Sequence, residues 1–476
     1  MSRQRKCGVK MFYGRQTELS ELNSLYNREG FRFVVIYGRR RVGKTALITE
    51  FIEDKDSIFY VSIEQNDKAA LDSFSVKVME RFPAAAAMIT SFPSWDKAFE
   101  YISVQAGDKR VVLAIDEYPY LASGNQSISS ILQKHIDSDF KSSNLFLILC
   151  GSSMSFMENQ VLGYKSPLYG RRSAQFHVKP FDYYDAALFF PNASLEDKML
   201  AYAVCGGIPQ YLNALAEYDS VAEGIYECFM KKSGLLYEEP GNLLKQELRE
   251  PAVYNTIIAA IAGGASKLNE ITTKSGEDSK KCSKYLKSLL DLQILHKAYP
   301  YGVKAERNSI YILRDNMFKF WYRFIPRNVT NIESGLGRQV LENHITPMLP
   351  AYIGHIFEDA CHEYMLRKNG TQKLPFMFRG IGRWWGTNPK TRSQEEIDIL
   401  ADDDGRAIFG ECKWSSHNVD MNVLSELKRK SELFTRYSDK NYILFSKNGF
   451  TPAVKDYAAQ NGVILVELST LYINDL

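Results

Sequence analysis

The sequence lacks paired-cysteine motifs, long apolar runs and a strong net charge. Its seven cysteines are scattered over 476 residues, are odd in number and never occur as Cys-x-x-Cys. This pattern indicates neither a zinc site nor a disulfide framework, and it favours a reducing compartment. No apolar stretch approaches the roughly 18 residues that a membrane span needs, and no apolar signal segment follows the basic N-terminus. We therefore expect a cytoplasmic protein that is neither secreted nor embedded in a membrane.

Charge of one sign is also lacking, since 59 Lys and Arg residues face 56 Asp and Glu residues and leave a net charge of +3. So small an excess does not predict nucleic-acid binding, which must be argued from local patches. Hydrophobic residues make up 45% of the chain and charged residues 24%, values typical of a soluble protein with sizeable cores. The length exceeds what one core usually organises and suggests roughly three domains.

The strongest motif of the chain is a glycine-rich phosphate-binding loop, or P-loop. The apolar run 33–37 leads into Gly-x-x-x-x-Gly-Lys-Thr at positions 38–45, and a helical pattern follows. In that setting the glycines let the backbone fold around phosphates, Lys44 reaches the β and γ phosphates, and Thr45 ligates Mg²⁺. The alternative is a glycine-rich turn before a helix. The predicted ATP contacts of the loop are Gly38, Arg39, Arg40, Arg41, Val42, Gly43, Lys44, Thr45 and Ala46.

A second apolar run, residues 111–115, ends in Asp116 and Glu117. The carboxyl end of a parallel strand would bring these two acids beside the P-loop. We expect Asp116 to hold the Mg²⁺ shell and Glu117 to orient or deprotonate the attacking water, so hydrolysis is predicted as well as binding. Without the P-loop, the same pair would indicate only a strand end that meets solvent.

A third apolar run, residues 145–150, ends close to Ser152 and Ser153. The hydroxyl of Ser152 is a candidate to sense the γ-phosphate, and the alternative is a plain serine-rich turn. Arg171 and Arg172 follow shortly after. An arginine there, taken first as Arg171, could stabilise charge on the transferring phosphoryl group in cis or from a neighbouring subunit. The alternative is a solvated or salt-bridged pair, and which arginine acts is left open.

The order of these motifs resembles a known family. The chain is similar to the archaeal-type P-loop ATPases, AAA+-related proteins also found in bacteria, in the motifs FYGRQTELSEL, YGRRRVGKT, LAIDEYPYL, LCGSS, PLYGRRS, KPFDYYDA and CGGIPQYL. The similarity covers about the first 325 residues. It implies that residues 12–15 lie near the adenine and that a helical lid follows Pro191. Residues 206–209, Gly-Gly-Ile-Pro, would open one helix of that lid.

Residues 241–330 read as short helices followed by a hairpin, which predicts a winged helix-turn-helix. The third helix has an apolar stripe at Cys282, Tyr285, Leu286 and Leu289. Another face of the same helix carries a basic row at Lys280, Lys284 and Lys287. Such a row could follow DNA phosphates. The alternative is an ordinary solvated lysine face on a domain that serves as an ATPase lid.

A further domain is predicted from about residue 340, where a connection with Pro, Gly and Asn precedes a new helix. After that helix come a strand-like run, a hairpin, a Leu- and Lys-rich helix, a strand, another helix and a final strand. This order predicts a second α/β domain.

The hairpin in this domain sets two carboxylates opposite each other. Asp-Gly at 404–405 favours a two-residue type I′ turn, which pairs Asp403 with Arg406 and, counting outward, Asp398 with Glu411. Directly opposed side chains lie about 5 Å apart at Cβ, and like charges there destabilise a sheet. The pair therefore indicates a bound cation.

The same register predicts which side chains share a face. Glu396 then faces Lys413. The other face is filled by apolar residues, namely Ile397, Ile399, Ile408 and Cys412. A purely structural hairpin has little reason to place Lys413 and two carboxylates on one half-buried face.

Carboxylates that hold Mg²⁺ or Mn²⁺ beside a lysine are typical of metal-assisted phosphodiester cleavage. The hairpin resembles the core of the PD-(D/E)XK nuclease superfamily, with Asp398 as the D and Glu411 and Lys413 as the E and K of E-x-K. By this resemblance Glu358, on the preceding helix, adds a further acid. Ile397 replaces the usual proline. The alternative is a set of surface acids on a hairpin.

Taken together, the patterns predict an α/β protein in four segments. These are a parallel-sheet P-loop ATPase domain at 1–190, a helical lid at 191–240, a winged-helix domain at 241–330 and a restriction-endonuclease-like domain at 340–476. The predicted catalytic residues are Lys44, Glu117, Asp398, Glu411 and Lys413. The predicted metal ligands are Thr45, Asp116, Glu358, Asp398 and Glu411.

Two functions fit these features. In the first, an ATPase gates a metal-dependent nuclease that acts on DNA, with ATP, Mg²⁺ and, at the second site, Mn²⁺ as cofactors. In the second, the protein is a nucleotide-switched regulator or scaffold whose nuclease-like domain only binds nucleic acid or protein. The intact D, E and K favour the first. Association of copies of the chain is left open, as are the preferred nucleic-acid structure and the pathway.

Overall fold

The computed structural model describes residues 12–87, 89–303 and 309–473. The chain divides into two compact units, Met1–Pro180 and Phe181–Leu476. Within the described ranges no helix combines the length and apolarity needed to cross a membrane. The six cysteines of these ranges are buried free thiols, and Cys7 lies outside them. The finer domain limits stay predictions.

The first unit is built on a parallel sheet. Its strands are β1 (Arg32–Tyr37), β2 (Ser57–Val61), β3 (Val111–Asp116), β4 (Leu145–Gly151) and β5 (Ala174–His177). They lie in the order β2-β3-β4-β1-β5, and all four pairings are parallel. β1, β3 and β4 are almost wholly buried, as apolar runs in a parallel sheet require, and they confirm the predicted strands. The edge strands β2 and β5 were not predicted, because they are short and only partly buried.

Helices cover this sheet and connect its strands. They are α1 (Gln16–Tyr26), α2 (Lys44–Ile52), α3 (Asp67–Arg81), α4 (Pro83–Ala86), α5 (Trp95–Ala106), α6 (Tyr118–Gly124), α7 (Ile128–Asp137) and α8 (Met154–Phe156). The side chains of Asn66 and Ser94 accept backbone N–H groups at the starts of α3 and α5. Phe74, Trp95 and Phe99 then pack these two helices into the main core of the unit.

The second unit begins with a helical region. Its helices are α9 (Tyr183–Ala187), α10 (Leu195–Cys205), α11 (Pro209–Ala216) and α12 (Val221–Phe229). α11 begins at Pro209, which confirms the helix start predicted at residues 206–209. Gly207 is required just before it, because a Cβ at this position would lie 1.7 Å from the carbonyl oxygen of Phe181.

Further helices and a two-stranded sheet follow. The elements are α13 (Glu239–Glu247), α14 (Pro251–Ala262), α15 (Leu268–Ser275), α16 (Ser279–Asp291), β6 (Leu295–Ala298), β7 (Ile310–Leu313), α17 (Asn316–Phe324), α18 (Val329–Asn331) and α19 (Gly337–Val340). β6 and β7 are antiparallel, and part of their connection, residues 304–308, lies outside the described residues. The predicted stripe of α16 is buried, and its predicted lysine row is exposed. The assignment of these elements as a winged helix stays a prediction.

A mixed five-stranded sheet completes the second unit. Its elements are α20 (Leu349–Lys368), β8 (Gly380–Thr387), β9 (Gln394–Asp403), β10 (Arg406–Lys413), α21 (Met421–Ser431), β11 (Asp439–Ser446), α22 (Pro452–Asn461), β12 (Ile464–Glu467) and α23 (Leu468–Leu471). The strand order is β12-β11-β10-β9-β8. The pairings β8–β9 and β9–β10 are antiparallel, whereas β10–β11 and β11–β12 are parallel. The predicted order of helices and strands after residue 340 is confirmed.

A β-bulge interrupts the alternation of side chains along β9. Gly382 pairs with Leu400 and Trp384 pairs with Ile397, so β9 carries one residue more than β8 over this stretch. Ile397 accordingly joins the same apolar cluster as Leu400 and Phe409. The predicted alternation, with both acids on one face and Ile397 on the other, is therefore wrong, because it assumed a regular strand. Ile397 lies on the face that Phe409 shares with Glu411 along β10.

Candidate functional site

The backbone of the P-loop is shaped by residues in unusual positions. A Cβ at Gly38 would lie 2.3 Å from the carbonyl oxygen of Val178, so only glycine fits this close approach. Arg41 and Gly43 have positive φ angles of 72° and 89°. α2 then begins at Lys44, which directs the free N–H groups of a helix N-terminus at the loop. This arrangement suits a phosphate group.

The polar side chains of the loop converge on the end of β3. The Nζ of Lys44 is buried and donates to the carbonyl oxygen of Arg39 at 3.0 Å. The hydroxyl of Thr45 donates to Oδ2 of Asp116 at 2.6 Å. Asp116 is also buried, and its Oδ1 accepts the N–H of Glu117 at 2.9 Å. A hydroxyl and a carboxylate oxygen at this distance form a donor set that suits Mg²⁺.

Glu117 and Ser152 bond to each other across neighbouring strands. Glu117 adopts a left-handed backbone conformation with φ 51°, directly after β3. Its Oε2 accepts the hydroxyl of Ser152 at 2.8 Å and the N–H of Ser152 at 3.3 Å. Ser152 thus contacts the predicted base, and its role toward the γ-phosphate stays a prediction.

The arginines around the loop contact groups of their own unit. Arg171 donates to both carboxylate oxygens of Asp137, at 2.9 and 2.7 Å, and to two backbone carbonyls. Arg40 donates to the hydroxyl of Tyr120 at 2.8 Å. Arg15, expected near the adenine, donates to the carbonyl of Val42 at 3.2 Å. The ion pair of Arg171 matches the salt-bridged alternative, and its role toward ATP stays a prediction.

A second set of polar side chains lies on the C-terminal hairpin. Both turn residues, Asp404 and Gly405, have positive φ angles, 41° and 87°, as a type I′ turn requires. The pairs run from Asp403–Arg406 to Ile399–Gly410 in the predicted register. The predicted pairing of Asp398 with Glu411 would come one step further on, where the bulge of β9 lies, and it is not among these pairs.

Two hydrogen bonds hold the predicted acids and lysine of this hairpin, one from the backbone to Asp398 and one between Lys413 and Glu411. The N–H of Cys412 donates to Oδ2 of Asp398 at 2.9 Å. Lys413 donates to Oε1 of Glu411 at 2.7 Å. From α21, the Nζ of Lys430 lies 3.4 Å from Oε2 of the same carboxylate. The D, E and K of the predicted motif therefore lie close together, with Lys430 as an additional cation.

Asp398 also belongs to a group of three acids. Carboxylate oxygens of Glu358, Glu396 and Asp398 all lie within 4.8 Å of one another. Glu396 accepts Nε of Arg383 at 2.7 Å, and the guanidinium also lies 3.4 Å from Glu358. Glu358 thus reaches the hairpin, as the nuclease resemblance implied. Glu396, which was expected to face Lys413, instead bonds to Arg383.

The electrostatics of the hairpin favour a cation. Burial and the neighbouring carboxylates of Glu411 and Glu358 raise the pKa of Asp398 to about 7. Burial lowers the pKa of Lys413, but the carboxylate of Glu411 outweighs it, and the net pKa is raised. Lys413 is therefore held as an ammonium. A divalent ion beside Asp398 would favour its ionised form and lower its pKa again.

Two family models match the chain. Residues 12–215 match a model described as an ATPase domain predominantly from Archaea. Residues 321–427 match a model described as archaeal and bacterial proteins of unknown function. The uncharacterized protein MJECL04 of Methanocaldococcus jannaschii is 33% identical over 431 residues, which cover 89% of this chain and 92% of that protein. The chain belongs to this archaeal-type ATPase family.

Two further comparisons concern the ATPase part. The uncharacterized ATP-binding protein MJ0074 of the same organism is 26% identical over 254 residues, or 43% of this chain and 70% of that protein. The solved structure of the Walker-type ATPase PABY2304 of Pyrococcus abyssi aligns with a TM-score of 0.50 at 18% identity, over 68% of this chain and 99% of that one. The second likeness shows the fold alone. The predicted resemblance to archaeal-type ATPases is confirmed, and the nuclease resemblance stays a prediction.

Several contacts in this archaeal-type ATPase were not predicted from the sequence. The bond between Glu117 and Ser152 depends on which strands are neighbours. Arg383 comes from a strand of glycines and tryptophans without clear alternation, and Lys430 comes from a helix with many charges. Lys430 gave no signal in the sequence, because a long side chain on a charged helix can reach several partners. Arg383 gave none.

Proposed function

We propose that the protein hydrolyses ATP at its P-loop and that the nucleotide gates a metal-dependent nuclease, acting on DNA, in its C-terminal region. One observation carries the nuclease part: Asp398 accepts the N–H of Cys412, between Glu411 and Lys413, so both carboxylates and the lysine lie together. The proposed domains are 1–190 (ATPase), 191–240 (lid), 241–330 (winged helix) and 340–476 (nuclease-like).

The ATPase step follows from the geometry at the end of β3. Lys44, at the start of α2, supplies the charge for the β and γ phosphates. Thr45 and Asp116 would hold Mg²⁺, which neutralises phosphate charge when bound with ATP. Glu117, held by Ser152, orients the attacking water and accepts its proton. The protein therefore contributes to hydrolysis by positioning the water and the phosphates and by stabilising the charge on the phosphates.

The nuclease step draws on the acidic hairpin. Asp398, Glu411 and Glu358 would hold Mg²⁺ or Mn²⁺, since carboxylate oxygens are the ligands that these hard cations prefer. The bound ion would supply Lewis-acid stabilisation of a phosphodiester. Lys413, which is held as an ammonium beside Glu411, can donate to a phosphate oxygen and position the attacking water.

The exposed lysines of α16 support DNA as the substrate. Lys280, Lys284 and Lys287 lie on one face of this helix, and its opposite stripe is buried. Within the described residues none of the three makes an ion pair, so their charges are available to phosphates. The helix precedes the β6–β7 pair, which is the order of a winged helix.

Two lysine substitutions separate the two proposed activities. Lys44→Ala should lower ATP hydrolysis by about 100-fold or more, because the phosphates lose their buried counter-charge. It should leave Mn²⁺ binding at the hairpin intact. Lys413→Ala should do the reverse, losing cleavage and keeping ATP turnover. Cleavage is measured on single-stranded, double-stranded and branched DNA with Mg²⁺ or Mn²⁺, with and without ATP.

Matched controls come from exposed lysines outside both sites. Lys68 pairs with Asp72, and Lys455 pairs with Glu467. Substituting either by alanine should change neither activity. If ATP gates cleavage, Lys44→Ala will also alter the rate or selectivity of cutting.

The alternative is a nucleotide-switched regulator whose nuclease-like domain only binds nucleic acid or protein. One observation favours it: both Lys413 and Lys430 contact Glu411, which compensates the charge of that carboxylate without a metal ion. Wild-type protein that turns over ATP but cuts neither DNA nor RNA with either metal would support this alternative. The regulator alternative would be strengthened if Lys413→Ala bound nucleic acid with the same affinity as wild type.

A further inference from the structure

Arg383 lies where the acids of the hairpin come closest together. It is on β8, one of the two edge strands of the sheet, and lies between the two pairs that flank the β9 bulge. Its guanidinium contacts Glu396 through both Nε and Nη2, and it lies 3.4 Å from Glu358. Asp398 is the third carboxylate of the same group. Arg383 therefore supplies positive charge to a group of three acids.

Charge balance makes this contact significant. Three carboxylates within 4.8 Å of one another repel strongly unless cations compensate them. A guanidinium stays protonated and has no acceptor, so it can neutralise the carboxylates of Glu358 and Glu396 but cannot join them as a metal ligand. Arg383 and a divalent ion thus compete for the same oxygens.

The ion pair with Glu396 is also weak enough to break, whereas the side chain of Glu358 is only 20% exposed. The side chains of Arg383 and Glu396 are 42% and 45% exposed, and ion pairs this exposed contribute little to stability. A divalent ion bound by several carboxylates gains more than such a pair. Displacement of Arg383 from the carboxylates would leave its guanidinium, with five N–H donors, on β8 beside the ion. The planar arrangement of these donors matches the oxygens of a phosphate.

We propose that Arg383 is the resident counter-ion of the acidic site, that a divalent cation displaces it from Glu358 and Glu396, and that the released guanidinium then contacts a phosphate of the nucleic acid. This inference rests on the proposed nuclease function. It makes Arg383 a positioning residue that links metal binding to nucleic-acid binding. As more of the acidic sites hold a divalent ion, more of the Arg383 side chains are then free to contact a phosphate.

Calorimetric titration of Mn²⁺ into the nucleotide-free full-length chain tests the first half. Arg383→Gln removes the competing charge and should tighten Mn²⁺ binding about three- to tenfold, the range expected when weak exposed ion pairs are lost. The matched control is Arg379→Gln, which removes an exposed guanidinium paired with Asp403 at the turn end of the hairpin and should bind Mn²⁺ like wild type. The Asp398→Asn variant serves as the control for Mn²⁺ that binds elsewhere in the chain.

Binding of a fluorescein-labelled DNA duplex in saturating Ca²⁺, followed by anisotropy, tests the second half. Arg383→Gln should weaken DNA binding about tenfold, the loss of one charge-assisted phosphate contact. Arg383→Lys should recover part of it, since a lysine keeps the charge without the fork. Opposite effects on metal and DNA exclude a merely structural role, because misfolding would weaken both.

The outcomes separate this inference from the proposed function. Equal Mn²⁺ affinity of wild type and Arg383→Gln, with binding lost in Asp398→Asn, would overturn the counter-ion role and leave the metal site standing. Unchanged DNA affinity in Arg383→Gln would overturn the phosphate contact. Mn²⁺ binding that is the same in Asp398→Asn as in wild type would remove the metal site itself, and both proposals with it.

Discussion

At the residue scale, Glu117 is the side chain on which the distinction between binding and hydrolysis depends. It accepts two hydrogen bonds from Ser152, so its carboxylate is held by the end of the next strand. Glu117→Gln keeps an acceptor for Ser152 but cannot take a proton from water. We expect ATP turnover to fall by about 100-fold or more while the Kd for ATP changes little.

The measurement is steady-state phosphate release beside equilibrium binding of a fluorescent ATP analogue. Ser152→Ala is the companion variant, because it removes the hydroxyl donor and leaves the base in place. It should slow turnover by about tenfold, the effect of one lost hydrogen bond to a charged group. A Glu117→Gln protein that still hydrolyses ATP at the wild-type rate would show that another group activates the water.

The residues that could be predicted from the sequence are those whose roles are fixed by local chemistry. Lys44 and Thr45 follow from the P-loop spacing, and Asp116 follows from its place after an apolar run. Asp398 and Glu411 were found by counting outward from an Asp-Gly turn, although the observed pairs end one step before them, at the bulge of β9. These predictions require only the residues that are close in sequence or that face each other within one hairpin.

Other residues of the two sites could not be found this way. The bond from Ser152 to Glu117 requires knowledge of the order of parallel strands, and the contact of Arg383 with Glu358 joins a strand to a distant helix. Long side chains such as Lys430 reach several places, so their partners are set by packing rather than by spacing.

At the element scale, α20 carries a buried acid in addition to Glu358. Glu363 accepts the N–H of Tyr183 at 3.0 Å and the hydroxyl of Tyr202 at 2.9 Å. Burial and the nearby carboxylate of Asp182 raise its pKa from 4.5 to about 8. These bonds tie α20 to the start of the second unit.

This raised pKa predicts a pH dependence of stability. Between pH 4.5 and about 8 the folded chain keeps a proton on Glu363 that the unfolded chain has lost. The contribution of Glu363 to the free energy of unfolding therefore falls as pH rises through this window, by at most about 1.4 kcal/mol per pH unit. Glu363→Gln should flatten this slope. Urea unfolding of metal-free protein across the window measures it, and an unchanged slope would contradict the assignment.

The lysine face of α16 makes a second prediction at this scale. Lys284 lies in the middle of the exposed row. If the row follows DNA phosphates, Lys284→Ala should weaken binding to all DNA sequences alike and reduce the slope of log K against log salt by about 1. Lys281, on the same helix, pairs with Glu277 and makes a matched control whose substitution should leave the slope unchanged. Equal slopes for all three proteins would indicate a solvated lysine face.

Elements were predictable where the hydrophobic pattern was strong. An apolar run predicted the position of each of the strands β1, β3 and β4. An apolar stripe with helical spacing predicted the helix α16. β5 has four residues and only one of them is buried, so its pairing with β1 rather than its own pattern makes it a strand. The bulge in β9 was invisible for a similar reason, because it appears only against β8.

At the scale of the whole molecule, the question is whether the ATPase and the acidic site communicate. The N-terminal ATPase domain and the C-terminal sheet could be predicted from the sequence, since each has its own pattern of apolar runs. A coupling free energy cannot be predicted in this way, because it depends on how two states of the chain differ in affinity for each ligand. Only measurements on the intact chain address it.

Gating makes a quantitative prediction, because equilibrium coupling between two ligands is reciprocal. If ATP changes the Kd for DNA by some factor, DNA must change the Kd for ATP by the same factor, and couplings of this kind are commonly about tenfold. Glu117→Gln, which should hold ATP without consuming it, allows both constants to be measured at equilibrium, by anisotropy of labelled DNA and of a labelled nucleotide. We expect matching factors well above one in this variant. Lys44→Ala, which loses the charge for the phosphates, should give a factor of one. A factor of one in Glu117→Gln as well would mean that the chain joins two independent activities, and the gating proposal would be abandoned.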